Sequence, residues 1–163
     1  MKNSGSLKVA PSGDRDVLFE RVFDASRRAV FDALTRPELV REWMGPHGHR
    51  LVRCEIDLRV GGRFRYVMRG PDGKEMGWGG TFLEIDSPDC LVHNETFDHW
   101  PMMEARVASV LSEEGGKTVF SAIIRYASPE ARAAVLASGM EHGAAESYDR
   151  LAVLLAARQV GAK

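Results

Sequence analysis

Residues 16–25, DVLFERVFDA, alternate so that Val17, Phe19, Arg21 and Phe23 share one side, a pattern that predicts a strand. The period then changes. Ser26 can cap a helix over 27–35, where Val30, Phe31, Ala33 and Leu34 form an apolar stripe. Pro37 opens a second helix over 37–44 with Leu39, Val40, Trp43 and Met44, and Gly45-Pro46 ends it. Alternation returns over 49–58, with Leu51, Arg53, Glu55 and Asp57 opposite Val52, Cys54, Ile56 and Leu58. After Gly61-Gly62, residues 63–69 set Phe64, Tyr66 and Met68 on one face, and Gly70-Pro71-Asp72-Gly73 predicts a hairpin turn. Further strands are predicted over 77–85, 90–97, 104–113 and 118–126. The glycines at 77, 79 and 80 mark a bulge or a close approach by another element. A last helical region opens at Ser128-Pro129 and breaks at Gly139. From Met140 onward, helical spacing places Met140, Ala144, Ser147, Leu151 and Leu154 or Leu155 on one face.

Short turns between successive strands make the sheet antiparallel, and a sheet must bury its apolar face against a partner. The predicted fold is therefore α+β: six to seven antiparallel strands packed on a long C-terminal helix, with two short helices after the first strand. Residues 1–15 read as a flexible lead-in and 16–160 as one domain. A chain of 163 residues buries roughly 70% of its unfolded surface, enough for a real core. No apolar run is long enough to span a membrane, and the first residues lack the apolar centre of a signal peptide.

Composition narrows the partners. The net charge of −1 argues against a dedicated nucleic-acid binder, which needs a large basic excess. Residues 27–74 nevertheless carry eleven basic and six acidic side chains, whereas 75–163 carry seven and thirteen. That split predicts opposite potentials on different sides of the molecule. Cys54 and Cys90 have no CxxC or Cys/His framework around them, which suits reduced thiols in a cytoplasmic protein.

Several segments together resemble a known family. They are RVFDASRRAVFDALTRPELVREWMGP (21–46), the glycine pair and hairpin of RVGGRFRYVMRGPDG (59–73), and GTFLEIDSPDCLV (80–92). GKTVFSAIIRYAS (116–128) and GMEHGAAESYDRLAVLLA (139–156) complete the set. Their order resembles the helix-grip fold of the START-like (SRPBCC, or Bet v-like) superfamily. Within it they are similar to the bacterial family named after the activator of a heat-shock-chaperone ATPase. The resemblance implies a curved sheet wrapped around the C-terminal helix, with a cavity between them. It also implies a hydrophobic or amphipathic ligand in some members and cyclase chemistry in related ones.

Candidate residues follow from both readings. Trp43, Trp78 and Trp100 can wall a pocket or simply fill core, and Trp43 suits a pocket mouth. Phe64, Tyr66, Met68 and Phe82 are candidates on the sheet, opposite Met140, Ala144 and Ser147 on the helix. His93 and Glu95 share a strand face, and with Arg106 and Glu146 they are the polar candidates for an apolar cavity or, equally, for surface ion pairs. His142 with Glu146, and His47 with His49, lack further partners for a metal site, and no phosphate loop or nucleophile elbow is present. No cofactor is expected.

The leading expectation is a module that binds a small hydrophobic or amphipathic molecule. A cyclase or aromatase on a polyketide-like or aromatic substrate is the second, and stimulation of a chaperone ATPase the third. No nucleic-acid or membrane partner is expected, and homodimerisation is left open.

Overall fold

A computed structural model describes residues 7–161. Eight strands form one antiparallel sheet: β1 (Lys8–Ser12), β2 (Asp16–Phe23), β3 (Arg50–Ile56), β4 (Arg63–Arg69), β5 (Glu75–Asp86), β6 (Cys90–Phe97), β7 (Trp100–Glu114) and β8 (Lys117–Tyr126). Their spatial order is β1-β2-β8-β7-β6-β5-β4-β3. Helices α1 (Arg27–Thr35) and α2 (Pro37–Trp43) follow β2, and α3 (Pro129–Ala137) and α4 (Met140–Gly161) close the chain. The architecture is the α+β helix-grip arrangement expected, with more strands than the six to seven anticipated.

The extra strand corrects the flexible lead-in. Lys8–Ser12 pairs with Asp16–Glu20 through a tight turn. Its single half-polar stretch is too short to show an alternation, so the pairing partner, not the segment itself, makes it a strand. Residues 1–6 lie outside the described residues.

The caps are those the sequence predicts. Ser26 accepts from the Ala29 N–H and Ser128 from the Ala131 N–H. Gly139, at φ +78°, separates α3 from α4 in a backbone conformation that glycine adopts without strain. Strict alternation fails on β3. A register shift between Leu51 and Arg53 turns both Leu51 and Cys54 inward, opposite Met68 and Tyr66.

The core lies between the inner face of the sheet and the helices. Val17, Phe19 and Phe23 of β2 are buried there with Leu151 and Leu155 of α4. Arg21 is the charged exception on that face. It is 4% exposed, lies 5.5 Å from the Phe23 ring centroid, and donates to Asp149 Oδ1 at 2.6 Å.

The loop after α2 is pinned to α4 by hydrogen bonds. The Gly45 N–H donates to Ser147 Oγ, the His47 N–H to Glu146, and Arg150 to the Gly45 carbonyl at 2.7 Å. The charge split between the two halves of the chain is largely consumed by pairing. Arg27 meets Asp89, Arg65 meets Asp98 and Arg69 meets Glu75, so basic and acidic segments neutralise each other locally instead of facing apart. Among the described residues, no helix is long and apolar enough to cross a membrane.

Candidate functional site

Between the sheet and the start of α4 lies a cavity of about 200 Å³. Period-2 alternation on β4, β5 and β6 turns Phe64, Tyr66, Trp78, Phe82, His93 and Glu95 into it. Trp43 and Met140 close it from the helix side, and Tyr126 and Tyr148 add two more rings. Tyr148 is the packing centre. Its ring stacks on Trp43 with centroids 5.6 Å apart and meets Phe19, Phe23 and Phe120 within 6.4 Å.

The polar content is concentrated on β6. His93 Nε2 lies 3.2 Å from Glu95 Oε1, and the imidazole is held edge-on by Phe64 at 5.2 Å. Beside this pair the β5–β6 ladder opens. The Thr81 N–H donates to the side chain of Asn94 (2.9 Å) instead of to a strand carbonyl. Gly80 sits at this opening, where a Cβ would overlap the Asn94 carbonyl oxygen. On the other side Glu95 pairs with Ala105, which pairs with Tyr126. Glu95 is thus flanked by residues with little or no side chain, and it lines the cavity.

Several of these polar atoms have no protein partner. His93 Nδ1 is buried without a hydrogen bond. Among the described residues, the hydroxyls of Tyr66, Tyr126 and Tyr148 also find none. Burial pushes all three hydroxyls well above the ordinary tyrosine range; the Glu95 charge adds to this at Tyr126 and Tyr148, and Cys54 and then Glu95 add to it at Tyr66. In the unfolded chain they ionise near pH 10, so above that pH the unfolded state sheds protons that the folded state keeps. Stability is therefore full below pH 10 and falls above it, by about 1.4 kcal/mol per pH unit for each tyrosine. Urea midpoints between pH 8.5 and 11 measure this. Tyr126→Phe should flatten the fall, and a flat wild-type profile to pH 11 would contradict enclosure of these hydroxyls.

The other sequence candidates separate by position. Met68 is buried at the end of the sheet, beneath Gly45, and does not line the cavity. Trp100 and Ala144 are half-buried against the core, likewise outside the lining. Ser147 is spent on the Gly45 loop. Glu146 is exposed and accepts from the His47 N–H, and Arg106 is exposed on the outer face, paired with Glu84. For these two the cavity expectation is overturned. Even-numbered β7 residues around Arg106 point outward, and Glu146 lies on the opposite side of α4 from Tyr148. Trp43 is a buried wall, not a mouth: it is 3% exposed, and its Nε1–H donates to the Ala33 carbonyl.

Sequence reasoning missed Tyr148, Tyr126 and Ser109, all of which line the cavity. The signal for Tyr148 was present. Ala144, Tyr148, Leu151 and Leu155 follow i, i+4, i+7, i+11 spacing, which fits one helix face better than the face drawn through Ser147. No similar cue marks Ser109, whose inward position depends on the register of β7.

The two cysteines are free. Burial pushes the Cys54 thiol up to about 11, so it is an inert core thiol. Among the described residues, no cluster of three or more metal-ligating side chains occurs.

Comparisons with known proteins agree with this architecture. The family model described as "Activator of Hsp90 ATPase homolog 1-like protein" matches residues 24–156. A crystal structure from Rhodobacter sphaeroides is 33% identical, covers 94% of this chain and 99% of its own, and superposes with a TM-score of 0.89. One from Nitrosomonas europaea is 23% identical over 92% of this chain and 99% of its own, with a TM-score of 0.82. The AHSA1 protein of Silicibacter pomeroyi is 21% identical over 88% and 99%, with a TM-score of 0.72. The last two show likeness of fold alone. No curated protein matches the chain.

Proposed function

Because the chain belongs to the activator of Hsp90 ATPase homolog 1-like family, whose helix-grip fold encloses a cavity here, we propose that it binds a small amphipathic molecule between sheet and α4. The observation that carries this is an aromatic-walled space lined by the His93–Glu95 pair and three tyrosines, with His93 Nδ1 buried there without a partner. An unsatisfied buried polar atom costs roughly 1–3 kcal/mol, so a ligand that pairs with His93 Nδ1 recovers part of that cost.

Size limits the occupant. A dry cavity of about 150 Å³ accepts benzene, and drug-sized pockets run to about 300–1,000 Å³. A space of about 200 Å³ therefore fits a molecule of one or two rings. Its apolar body rests against Phe64, Phe82 and Trp43, and its polar end reaches Glu95. An uncharged end is favoured, because the Glu95 carboxylate repels an anion across a weakly screening interior.

The probe is 2-naphthol, read by the fluorescence of Trp43 and Trp78, which both line the cavity. Saturable quenching is expected, with 2-naphthoate binding at least tenfold more weakly. Ala122→Leu, which adds bulk to the lining, should abolish the quench while retaining a cooperative thermal transition. Equal quenching by this variant, or none in the wild type, would remove the cavity as the site. The His93–Glu95 pair also favours a second reading, general acid–base catalysis inside the same cavity.

A further inference from the structure

We propose that the cavity catalyses reversible proton transfer at the carbon next to the carbonyl of a small, uncharged aromatic ketone, with Glu95 as the base. The proposal rests on the cavity-binding function above and assigns it a reaction.

Three features point to this chemistry and not to simple retention. The first is a carboxylate inside an apolar space. A carboxylate is a weak base in water, and removing competing water strengthens its interactions with a substrate. Glu95 lines the cavity on β6, between the opening at Gly80 and the small side chain of Ala105.

The second is the position of the hydrogen-bond donors. Tyr126 shares an inward row with Glu95 through Ala105. Two interstrand steps of about 4.8 Å put their Cα atoms roughly 10 Å apart, with only a methyl group between them. Tyr66 approaches from β4 and Tyr148 from α4. A planar ketone in the cavity between Glu95 and Tyr126 can therefore place its oxygen at a tyrosine hydroxyl and its α-carbon at Glu95. The hydroxyls are kept protonated by burial first and by the Glu95 charge as well, so they remain donors at neutral pH. None is engaged elsewhere among the described residues, so all are free to receive the developing oxyanion.

The third is His93. A carboxylate only accepts, so the hydrogen shared with Glu95 Oε1 sits on His93 Nε2. This contact occupies one carboxylate oxygen and leaves Oε2 for the substrate proton. His93 is a positioning residue in this scheme, held by the edge contact to Phe64.

The step balances without another reactant. Glu95 Oε2 takes the α-proton, and the C–H bonding pair becomes the new C=C π bond. The carbonyl π pair moves onto oxygen, where a tyrosine O–H donates to it. Protonated Glu95 then returns a proton to carbon and is regenerated. Nothing is oxidised or reduced.

The probe is 2-tetralone in D₂O, with α-proton exchange followed by NMR against the same buffer without protein. Binding is followed in parallel by tryptophan fluorescence. Exchange above the buffer rate is expected, and in Glu95→Gln the rate at saturating 2-tetralone, from which any change in affinity drops out, should fall at least 100-fold. Tyr126→Phe and Tyr148→Phe together should lower it at least tenfold. His93→Phe removes the donor to Glu95 and should lower the exchange kcat while leaving KM unchanged, and His93→Gln, which keeps an N–H, should restore part of it. If Glu95→Gln does not fold, Glu95→Asp provides the same test through its shorter reach, with reduced exchange expected. Binding of 2-tetralone with exchange at the buffer rate, or exchange unchanged in the Glu95 variant, overturns the proposal and leaves the binding function standing. Absence of binding by both 2-tetralone and 2-naphthol overturns both.

Discussion

Gly80→Ala is expected to destabilise the protein by about 3 kcal/mol or more, among the largest effects available from one methyl group. An ideal Cβ at Gly80 overlaps the Asn94 carbonyl oxygen, a backbone atom that cannot rotate away. Relief requires β5 and β6 to part where their ladder is already interrupted, next to His93 and Glu95. The substitution should therefore also disturb the site: 2-naphthol binding should weaken even under conditions where the variant stays folded. Gly143→Ala is the matched control. It lies in α4, where a Cβ meets only Pro46 Cγ at 3.9 Å. Alanine there should be neutral or stabilising by up to about 1 kcal/mol through helix propensity. Urea denaturation of the two variants gives the comparison. Wild-type stability in Gly80→Ala would mean that the β5–β6 opening is elastic and does not hold Glu95 in place.

Tyr148→Ala should cost about 3 kcal/mol, at the lower end of the range for removing a packed aromatic side chain. Its ring contacts Phe19, Phe23, Trp43 and Phe120, so deletion leaves four aromatic neighbours facing a void. By surface area the residue is half-buried, as suits a ring that walls a cavity. Tyr148→Phe keeps those contacts and removes a hydroxyl that has no protein partner. It should be neutral or slightly stabilising in the absence of ligand. The two variants also diverge in binding. The alanine variant gains cavity volume and should admit two-ring probes carrying an additional substituent, whereas the phenylalanine variant should keep the wild-type size limit. A loss of about 3 kcal/mol in Tyr148→Phe would show that the hydroxyl is engaged in the folded protein.

Both predictions concern residues whose importance is unequally visible along the chain. The glycines at 77, 79 and 80 are legible as a departure from strand composition, and a bulge or close approach is the natural inference. That the approach belongs to Asn94, and that it frames Glu95, depends on which strand lies beside β5. His93 and Glu95 are legible as a same-face pair, but alternation alone does not say which face is inward. Arg106 illustrates this limit. It belongs to an alternating strand just as His93 does, yet it lies on the outer face with Glu84. Glu146 and Tyr148 differ by two positions on one helix and point in different directions, because 100° per residue makes small errors of phase decisive.

The order of elements, the caps at Ser26 and Ser128, the helix break at Gly139 and the need for a helix to cover the sheet are all readable along the chain. These are local properties: spacing, propensity and turn chemistry act over a few residues and leave their mark in the order of the chain. Three-dimensional packing makes residues 8–12 a strand, brings opposite charges from the two halves together, and sets Glu95 in one cavity with Tyr66, Tyr126 and Tyr148. Those outcomes depend on strand register and on the angle at which α4 crosses the sheet. Both are set by packing between residues far apart in the chain, and no single segment records them.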